Sequence, residues 1–472
     1  MENFKFLLFI VIIKSIFNKI LINNKNFNVF PNLSNTKKYS YESNDNLYFI
    51  FSIFRHGVRA PMDKEFENNT DLLGGKWNQK AELTLTGRKQ HFNIGLKNKK
   101  RYSNFINITY DPKEIIVYST NTNRTIYSAQ SQLFGLFNGL TYINESNFDI
   151  INNKNKVTDL YRIIPPIYLF NEKKKFRHNL LFKRPINTIE TILQYSKFCR
   201  PMIRLISKNY ENFENNPKID SFIYEFNQKY GDILKRKYKI NNLMSRKDFK
   251  GFCDAFISNY FDENNKNVLE YFLNEGFNIT NLLYECYFYH GHYLFEIDGN
   301  GYAKNNCIIS MSMPMKQIID IMKIRKTKNN NYINYEYPKF ILISSHDTSL
   351  AMIQVFFKNV FNTELDYPYL ASNFIIELRK HNDEFFVEAY LNDYLKLNVT
   401  LEDFEKKIME ISYDEKYIVN YCLEITKYKI DNLLLILIII FFIHIFVFLY
   451  FTKYFCMNNY KIKDSSSFSV KK

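Results

Sequence analysis

The sequence predicts an α/β protein: a central, mostly parallel sheet flanked by helices, with an inserted, mainly helical cap domain and one C-terminal transmembrane helix. Three observations predict this architecture. Short runs rich in Ile and Phe end abruptly in polar clusters, which is typical of strands buried on both faces of a parallel sheet. The stretch 146–335 between two such runs is far longer than a crossover needs. A uniformly apolar run lies near the C-terminus.

The N-terminal segment 1–22 is predicted to be a signal peptide or an anchor. Lys5 precedes an apolar run at 6–13, which is too short to span a bilayer but suits the core of a signal peptide. Both alternatives stay open, because no clean small-residue cleavage site follows the run.

The first predicted strand, residues 47–54, leads directly into Arg55, His56, Gly57 and Arg59. Polar groups after such a strand lie at its carboxyl end, where open α/β sheets bind ligands. Guanidinium groups can grip two oxygens of one anion, and a histidine between them can serve as a nucleophile or a proton carrier. Only 14 of the 63 basic residues are arginines, so two flanking one histidine indicate a geometric requirement.

The next elements continue the α/β pattern. A helix is predicted from Leu85, with Thr86 as its N-cap and an apolar stripe through Phe92 and Leu96. Residues 114–119 predict a second strand, and a helical pattern follows over 120–136. Arg124 lies just past this strand, so it is expected at the same edge of the sheet as the first polar cluster.

The α/β domain is predicted to comprise residues 47–145 and 336–425, with the cap at 146–335 between them. Within the cap, 188–198 and 268–283 have helical patterns. A buried strand at 339–345 precedes His346 and Asp347, and a helix is expected from 349 to 360. Two further strands, 374–378 and 385–391, predict a hairpin.

The apolar run 433–451 has the length and composition of a transmembrane helix. The tail 452–472 carries five lysines and one aspartate, which predicts that it faces the cytosol. With an N-terminal signal, this orientation places residues 23–430 in a lumen or outside the cell. The prediction is therefore a single-pass type I membrane protein, with its folded part in a lysosome- or vacuole-like lumen or at the cell surface.

Four motifs resemble those of the histidine acid phosphatase family. Residues 55–61 read Arg-His-Gly-x-Arg-x-Pro, and 83–90 read Leu-Thr-x-x-Gly-x-x-Gln. The segment STNTNRTIYSAQ contains Arg124, and the last block joins His346-Asp347 to Tyr-Pro-Tyr at 367–369. The resemblance is faint across the cap, so it implies the α/β fold and the reaction more than the substrate.

The resemblance implies a role for each of six residues in the hydrolysis of phosphate monoesters. His56 would attack phosphorus and form a phosphohistidine, and Asp347 would protonate the leaving oxygen and then help to activate water. The phosphate oxygens would be held by the remaining four residues: Arg55, Arg59, Arg124 and His346. Neither a cofactor nor a metal is implied. The pair His290-x-His292 ends an aromatic helical stretch and predicts no metal site.

Composition argues against several other classes of protein. The net charge of +15 is spread along the chain without any nucleic-acid-binding motif, so no nucleic-acid partner is predicted. The six cysteines form no C-x-x-C pair. Five of them precede the transmembrane helix and allow up to two disulfides with one thiol left over, in a pairing that sequence leaves open. The oligomeric state is also open, a homodimer included.

Seven N-x-[ST] sequons predict a glycoprotein, with chance matches among them in so Asn-rich a chain. The sequon at Asn123 adjoins Arg124, and we expect it to be unmodified. The sequons begin at Asn32, Asn68, Asn107, Asn123, Asn144, Asn278 and Asn398.

Two alternative functions follow from the same motifs. A phytase-like inositol polyphosphate phosphatase resembles the same motif set, and the cap would decide between the substrates. A catalytically inactive phosphatase fold that acts as a membrane receptor is the other alternative. Loss of His56 or Asp347 would indicate the inactive receptor, and both residues are present.

Overall fold

A computed structural model gives the structure of the chain. It describes residues 46–62, 80–106, 114–137, 167–169, 199–238, 245–262, 270, 273–274, 276–295, 303–327, 337–423 and 427–465. The predicted signal or anchor segment 1–22 and the predicted helix 188–198 lie outside these residues.

Seven strands within the described residues form one sheet. They are β1 (Leu47–Arg55), β2 (Ile115–Ser119), β3 (Ile167–Leu169), β4 (Phe340–Ser345), β5 (Asn373–His381), β6 (Glu384–Leu391) and β7 (Tyr394–Thr400). Their order across the sheet is β3-β2-β4-β1-β5-β6-β7. The first four in this order are parallel neighbours, and β5, β6 and β7 join them by antiparallel pairing. The predicted α/β fold with a largely parallel sheet is confirmed.

The antiparallel end of the sheet is built by two tight turns. Asn382 and Asp383 connect β5 to β6, and Asn392 and Asp393 connect β6 to β7, all with positive φ between 48° and 70°. Asn and Asp tolerate this conformation, which two-residue hairpin turns require. The predicted hairpin is confirmed, with longer strands than expected. Strand β7 was not predicted, although Leu395, Leu397 and Val399 alternate with polar residues as in a strand with one buried face.

Helices cover both faces of the sheet. On one face lie α1 (Leu85–Arg101) and α2 (Asn123–Leu136). On the other lie α7 (Ala303–Thr327), α8 (Asp347–Phe361) and α9 (Leu401–Ile411). Side chains of β1 alternate between the two layers: Phe51 packs among residues of α7 to α9, whereas Phe54 packs among residues of α1 and α2. Both are fully buried, as expected for a strand covered on both faces.

Helix α1 differs from its prediction at its start and on its buried face. The N-cap is Thr84, whose hydroxyl accepts from the Gly87 N–H, so the prediction of Thr86 is wrong. The apolar stripe is also wrong, since Leu96 is 41% exposed. The buried face instead presents small and polar side chains, because Gly95 lets α1 approach α2. A Cβ at Gly95 would lie 2.1 Å from the Gln132 carbonyl oxygen.

Four helices form a separate aromatic core in the inserted region. They are α3 (Arg200–Glu214), α4 (Pro217–Tyr238), α5 (Arg246–Phe261) and α6 (Ile279–His292). The prediction of one helix over 268–283 is wrong: Gly276 has a φ of +79° and interrupts it, and Asn278 caps α6. Strand β3 and helix α7 also fall within 146–335, yet they pack with the sheet.

Two disulfides connect distant parts of the chain. Cys253 and Cys286 join α5 to α6, and Cys199 joins Cys422 across 223 residues. Cys307 is buried and forms no disulfide within the described residues. These contacts supply the pairing that sequence left open: two disulfides and one remaining thiol among the first five cysteines.

The C-terminal region ends in two helices, α10 (Glu415–Leu423) and α11 (Lys427–Ser465). Helix α11 contains the stretch Leu435–Tyr454, 20 residues with a mean hydropathy of 2.9 and no burial against the rest of the protein. By length and composition this stretch can cross a bilayer, and it overlaps the predicted transmembrane helix 433–451.

Candidate active site

The three strands that carry the predicted site residues are adjacent in the sheet. Strand β4 lies between β1 and β2 and is parallel to both, so the three carboxyl ends meet at one edge. The backbone continues this pairing past the strands: the His56 N–H donates to the Ser345 carbonyl at 3.1 Å, and the Thr120 N–H donates to the Ser344 carbonyl at 3.2 Å. The sheet order therefore brings the three polar clusters to one crevice.

All six predicted site residues come together at this edge. Arg55 and Asp347 form an ion pair of 2.8 Å, and the rings of His56 and His346 lie 5.7 Å apart between centroids. The remaining two, Arg59 and Arg124, are close enough for their charges to act on one another. Burial first, and then the charge of Arg59, lowers the pKa of Arg124 to about 10.

The loop after β1 is mounted on the start of α1. The Val58 N–H donates to Gln90 Oε1 at 3.0 Å, and the Thr84 N–H donates to the Val58 carbonyl at 2.9 Å. Gly57 meets Gly87 so closely that a Cβ on Gly57 would lie 2.5 Å from the Gly87 carbonyl oxygen. The motif at 83–90 therefore holds the backbone of the His56 loop in place.

The Tyr-Pro-Tyr segment orients Arg55. The Pro368 carbonyl accepts from Arg55 Nη1 at 2.8 Å, while Nη2 pairs with Asp347. The backbone beyond it also supports the loop, since the Ala371 N–H donates to the His56 carbonyl at 3.0 Å. Two sides of the Arg55 guanidinium are thus fixed by protein atoms.

His56 is held as a neutral imidazole in one tautomer. Its Nδ1 lies 2.9 Å from the Gly57 carbonyl oxygen, which can only accept, so Nδ1 carries the proton and Nε2 keeps its lone pair. Burial, followed by the charges of Arg55 and Arg59, lowers the pKa of His56 well below its usual value. A neutral imidazole with an unprotonated Nε2 is a nucleophile.

The three arginines each keep one buried donor that has no acceptor in the described part of the protein. The Nε atoms of Arg55, Arg59 and Arg124 are buried, and none of them has a hydrogen-bond partner among the described residues. A buried donor on a charged group costs free energy when it makes no hydrogen bond. Three of them around His56 therefore form a site suited to the oxygens of a tetrahedral anion.

Asp347 is the first residue of α8, whereas the sequence predicted a helix beginning at 349. The helix begins earlier because His346 has an extended backbone and acts as its N-cap residue. Burial by itself would raise the pKa of Asp347, but Arg55 above all, with smaller contributions from His346 and Arg59, holds that pKa at about 2. Asp347 is therefore a carboxylate in the free protein.

His346 is oriented from the end of β2. Its Nε2 lies 3.0 Å from Thr120 Oγ1, and the Thr120 hydroxyl lies 2.8 Å from that of Thr125 in α2. This hydroxyl chain ties the imidazole to the same helix that carries Arg124.

Residues 46–392 match the histidine phosphatase superfamily (branch 2). The chain belongs to this superfamily. Prostatic acid phosphatase of Bos taurus is 38% identical over 92 residues, which are 19% of this chain and 23% of that protein. Lysosomal acid phosphatase of Homo sapiens is 36% identical over 101 residues, 21% of this chain and 23% of that protein. The aligned parts thus span about a quarter of these relatives.

Solved structures resemble the chain more broadly but at lower identity. The phytase from Citrobacter braakii is 12% identical, with a TM-score of 0.47, and the alignment covers 78% of this chain and 98% of that chain. The phytase from D. castellii is 13% identical, with a TM-score of 0.49, and the alignment covers 84% and 86%.

Two polar residues of this histidine phosphatase site were not predicted. Asp254, from α5, forms an ion pair of 2.7 Å with Arg59. His290, from α6, is close enough to feel the charges of Asp254 and Asp347, which raise its pKa; burial outweighs them and lowers that pKa to about 4. The His290-x-His292 pattern was the one sequence signal here. That pattern raised the possibility of a metal site and did not indicate that His290 lies near the phosphate-binding residues.

The asparagine of the Asn123 sequon opens α2 next to Arg124. Its side-chain amide donates to Glu82 Oε1 at 3.1 Å, beside the start of α1. The expectation that it carries no glycan stays a prediction.

Proposed function

We propose that this protein hydrolyses phosphate monoesters through a phosphohistidine on His56. The observation that carries the proposal is the neutral His56 imidazole, with its unprotonated Nε2, among three guanidinium groups. Each of these groups keeps a buried donor that has no partner in the described part of the chain. Phosphoryl transfer needs an in-line nucleophile and preorganised positive charge more than it needs covalent chemistry from the protein. Membership of the superfamily supports the same reaction.

The first step transfers the phosphoryl group to the enzyme. The His56 Nε2 lone pair forms a bond to phosphorus while the bond from phosphorus to the leaving oxygen breaks. Asp347, protonated in the substrate complex, gives its proton to that oxygen, so the product leaves as an alcohol. Arg55, Arg59 and Arg124 hold the three equatorial oxygens, and His346 donates a further hydrogen bond.

The second step releases inorganic phosphate. Water attacks phosphorus, the bond between phosphorus and Nε2 breaks, and the Asp347 carboxylate takes the proton that water loses. The imidazole returns to its starting state, with Nδ1 still donating to the Gly57 carbonyl. Asp347 is protonated again, ready for the next substrate or for exchange with solvent.

The protein acts on the non-cytosolic side of a membrane, as a single-pass type I protein. The apolar stretch Leu435–Tyr454 supports an anchor, and the five lysines of the tail support a cytosolic C-terminus. Two disulfides in the folded part fit an oxidising lumen or the cell surface. The lysosomal acid phosphatase among the relatives favours an acidic lumen.

The substrate is chosen by the helical insertion, since α5 and α6 each bring a polar residue to the site. Asp254 and His290 on these helices are close to the phosphate-binding arginines. A kinetic comparison of an aryl phosphate, an alkyl phosphate and phytate at several pH values separates a general acid phosphatase from an inositol polyphosphate phosphatase.

The proposed reaction is tested by replacing the nucleophile. His56→Ala is expected to lower kcat by at least about 10³-fold while leaving the thermal unfolding transition intact. The matched control is His381→Ala, which removes a part-buried histidine from the far end of β5 and should retain activity. A rapid quench under denaturing alkaline conditions should trap phosphate on His56 of the unmodified protein. Substantial activity in the His56→Ala protein would refute the mechanism, and phosphate binding without turnover in the unmodified protein would favour the inactive receptor.

A further inference from the structure

Asp254 is the polar residue by which the helical insertion contacts the motif loop after β1. Its carboxylate accepts from Arg59 Nη2 at 2.7 Å and from Arg59 Nη1 at 3.2 Å, so the ion pair is bidentate. The same carboxylate accepts from the Met62 N–H at 2.7 Å. The Arg59 and Asp254 side chains are only 9% and 14% exposed. A pair with this geometry and burial restricts both partners.

The hydrogen bonds of Arg59 determine which edge of its guanidinium is left for a ligand. A guanidinium has five N–H donors. Nη1 uses its two on the Ala60 carbonyl and Asp254, and Nη2 uses one on Asp254. Nε is buried and has no acceptor within the residues that the structure describes. The donors that remain are the Nε hydrogen and the second Nη2 hydrogen. These two hydrogens lie on one edge of the guanidinium and can donate to two oxygens of the same anion.

Asp254 is itself held firmly. It follows Cys253, which is disulfide-bonded to Cys286 of α6. Neighbouring side chains of α5, such as Phe252 and Phe256, are fully buried in the aromatic core of the insertion. At the start of α5, Ser245 and Asp248 form a capping box. The carboxylate is therefore presented to Arg59 from a rigid helix and not from a mobile loop.

We propose that Asp254 is a positioning residue for phosphoryl transfer: it fixes Arg59 so that the Nε and Nη2 edge faces the transferred phosphoryl group. This inference rests on the proposed function. Asp254 acts through Arg59 and does not touch the reacting atoms. Through this contact the insertion, which is remote in sequence, becomes part of the phosphate-binding machinery.

Replacing Asp254 with Asn distinguishes two roles for this residue. Phosphate binding should weaken if Asp254 positions Arg59, and should tighten if Asp254 acts only through its negative charge. Without the bidentate carboxylate, Arg59 can turn away from the phosphate, so binding of phosphate and kcat/KM should both fall, by about 10- to 100-fold. If Asp254 acted only as a nearby negative charge, its removal would make the pocket more positive and phosphate would bind more tightly. The loss should be equal for aryl and alkyl phosphates, because the phosphoryl group is common to both.

The test is a double-mutant cycle on the full-length protein, with Asp254→Asn, Arg59→Ala and the double variant. The measurements are calorimetric binding of inorganic phosphate and kcat/KM for an aryl phosphate. Asp254→Asn should cost about 10- to 100-fold alone but less than about twofold when Arg59 is already alanine. Asp248→Asn is the matched control, because it removes a carboxylate from the same helix whose hydrogen bonds go to Ser245. It should lower stability and leave phosphate binding unchanged.

Several results would overturn the inference. They are tighter phosphate binding by Asp254→Asn, an equal loss in both Arg59 backgrounds, or a loss of phosphate binding in the Asp248→Asn control. Failure of the proposed function looks different, since the unmodified protein would then turn over no phosphate monoester, whether or not it binds inorganic phosphate.

Discussion

Replacing Asp347 with Asn should remove the alkaline limb of the kcat profile against pH. In the free protein the pKa of Asp347 is about 2, because Arg55 and neighbouring positive groups outweigh burial. A bound phosphoryl dianion adds two negative charges beside it. At a separation of about 5 Å and an effective dielectric constant of about 20, each charge contributes about 3 kcal/mol, or roughly two pKa units. The pKa of Asp347 in the substrate complex should therefore rise to about 6.

The sign of the effect follows from the proton that the reaction needs. In the proposed reaction, protonated Asp347 delivers the proton to the leaving oxygen, so kcat should be constant at low pH and fall as pH rises through about 6. Asn cannot ionise, so the variant should be slower but lack this limb. The loss should be larger for alkyl than for aryl phosphates, because alkoxide leaving groups need protonation; general acid catalysis accounts for about 10²- to 10⁴-fold.

The assay is steady-state kinetics between pH 4 and pH 9 with one aryl and one alkyl phosphate, for the unmodified protein and Asp347→Asn. Retention of the alkaline limb in the variant would show that another group titrates. An equal loss for both substrates would mean that Asp347 positions the phosphate and that another residue is the acid.

Three further predictions concern the fold and the anchor. Glu377 is fully buried between Arg101 and Arg379, so Glu377→Gln should lower the free energy of unfolding by about 3–5 kcal/mol in urea, whereas the exposed Glu384→Gln should have little effect. Burial would raise the pKa of Glu377, but the two arginines lower it, so the unfolded state binds more protons and this stability is lost as pH falls below about 4.5. Gly95→Ala should destabilise the protein by at least about 1–3 kcal/mol in thermal unfolding, because its Cβ would overlap the Gln132 carbonyl. A chain ending at residue 430 keeps the Cys199–Cys422 disulfide and should be soluble and active, while the full-length chain should stay in carbonate-washed membranes.

The sheet, and the meeting of the six predicted site residues at one edge of it, could be predicted because their signals are local. A strand such as β1, apolar at nearly every position, is buried on both faces, and the polar residues after it must lie at its carboxyl end. Neighbouring strands then bring Arg124 and His346 to the same place. The prediction needed the strand ends and the parallel pairing, and both are encoded in short runs.

The buried face of α1 could not be predicted from apolar periodicity, because α1 contacts α2 through glycines and not through large apolar side chains. Gly95 and Gly135 bring α1 and α2 together, and the sequence then buries His91 and Asn98 where a Leu stripe would be expected. In α1, tertiary packing, and not intrinsic pattern, decides the outcome. Strand β7 differs, because Leu395, Leu397 and Val399 alternate with polar residues and so carry a local strand pattern.

Asp254 was beyond prediction for a different reason. It lies 195 residues after Arg59 in sequence, on the face of an amphipathic helix where a single aspartate reads as solvated surface. Its role depends on how the insertion docks on the sheet, which involves helix packing and the Cys253–Cys286 disulfide. No local pattern carries that information.

The charges of the pocket predict that the proposed phosphatase works on the acid side of neutrality. Arg55, Arg59 and Arg124 bring three positive charges, while Asp254 and Asp347 bring two negative ones, so the histidines aside the pocket carries +1. A phosphoryl dianion reverses that sign unless one proton enters with it. Asp254 is committed to Arg59 by two hydrogen bonds, whereas Asp347, 29% exposed, is the carboxylate that the proton can reach. We therefore expect binding of the dianion to be coupled to protonation of Asp347, which in the proposed reaction supplies the acid that the leaving group requires.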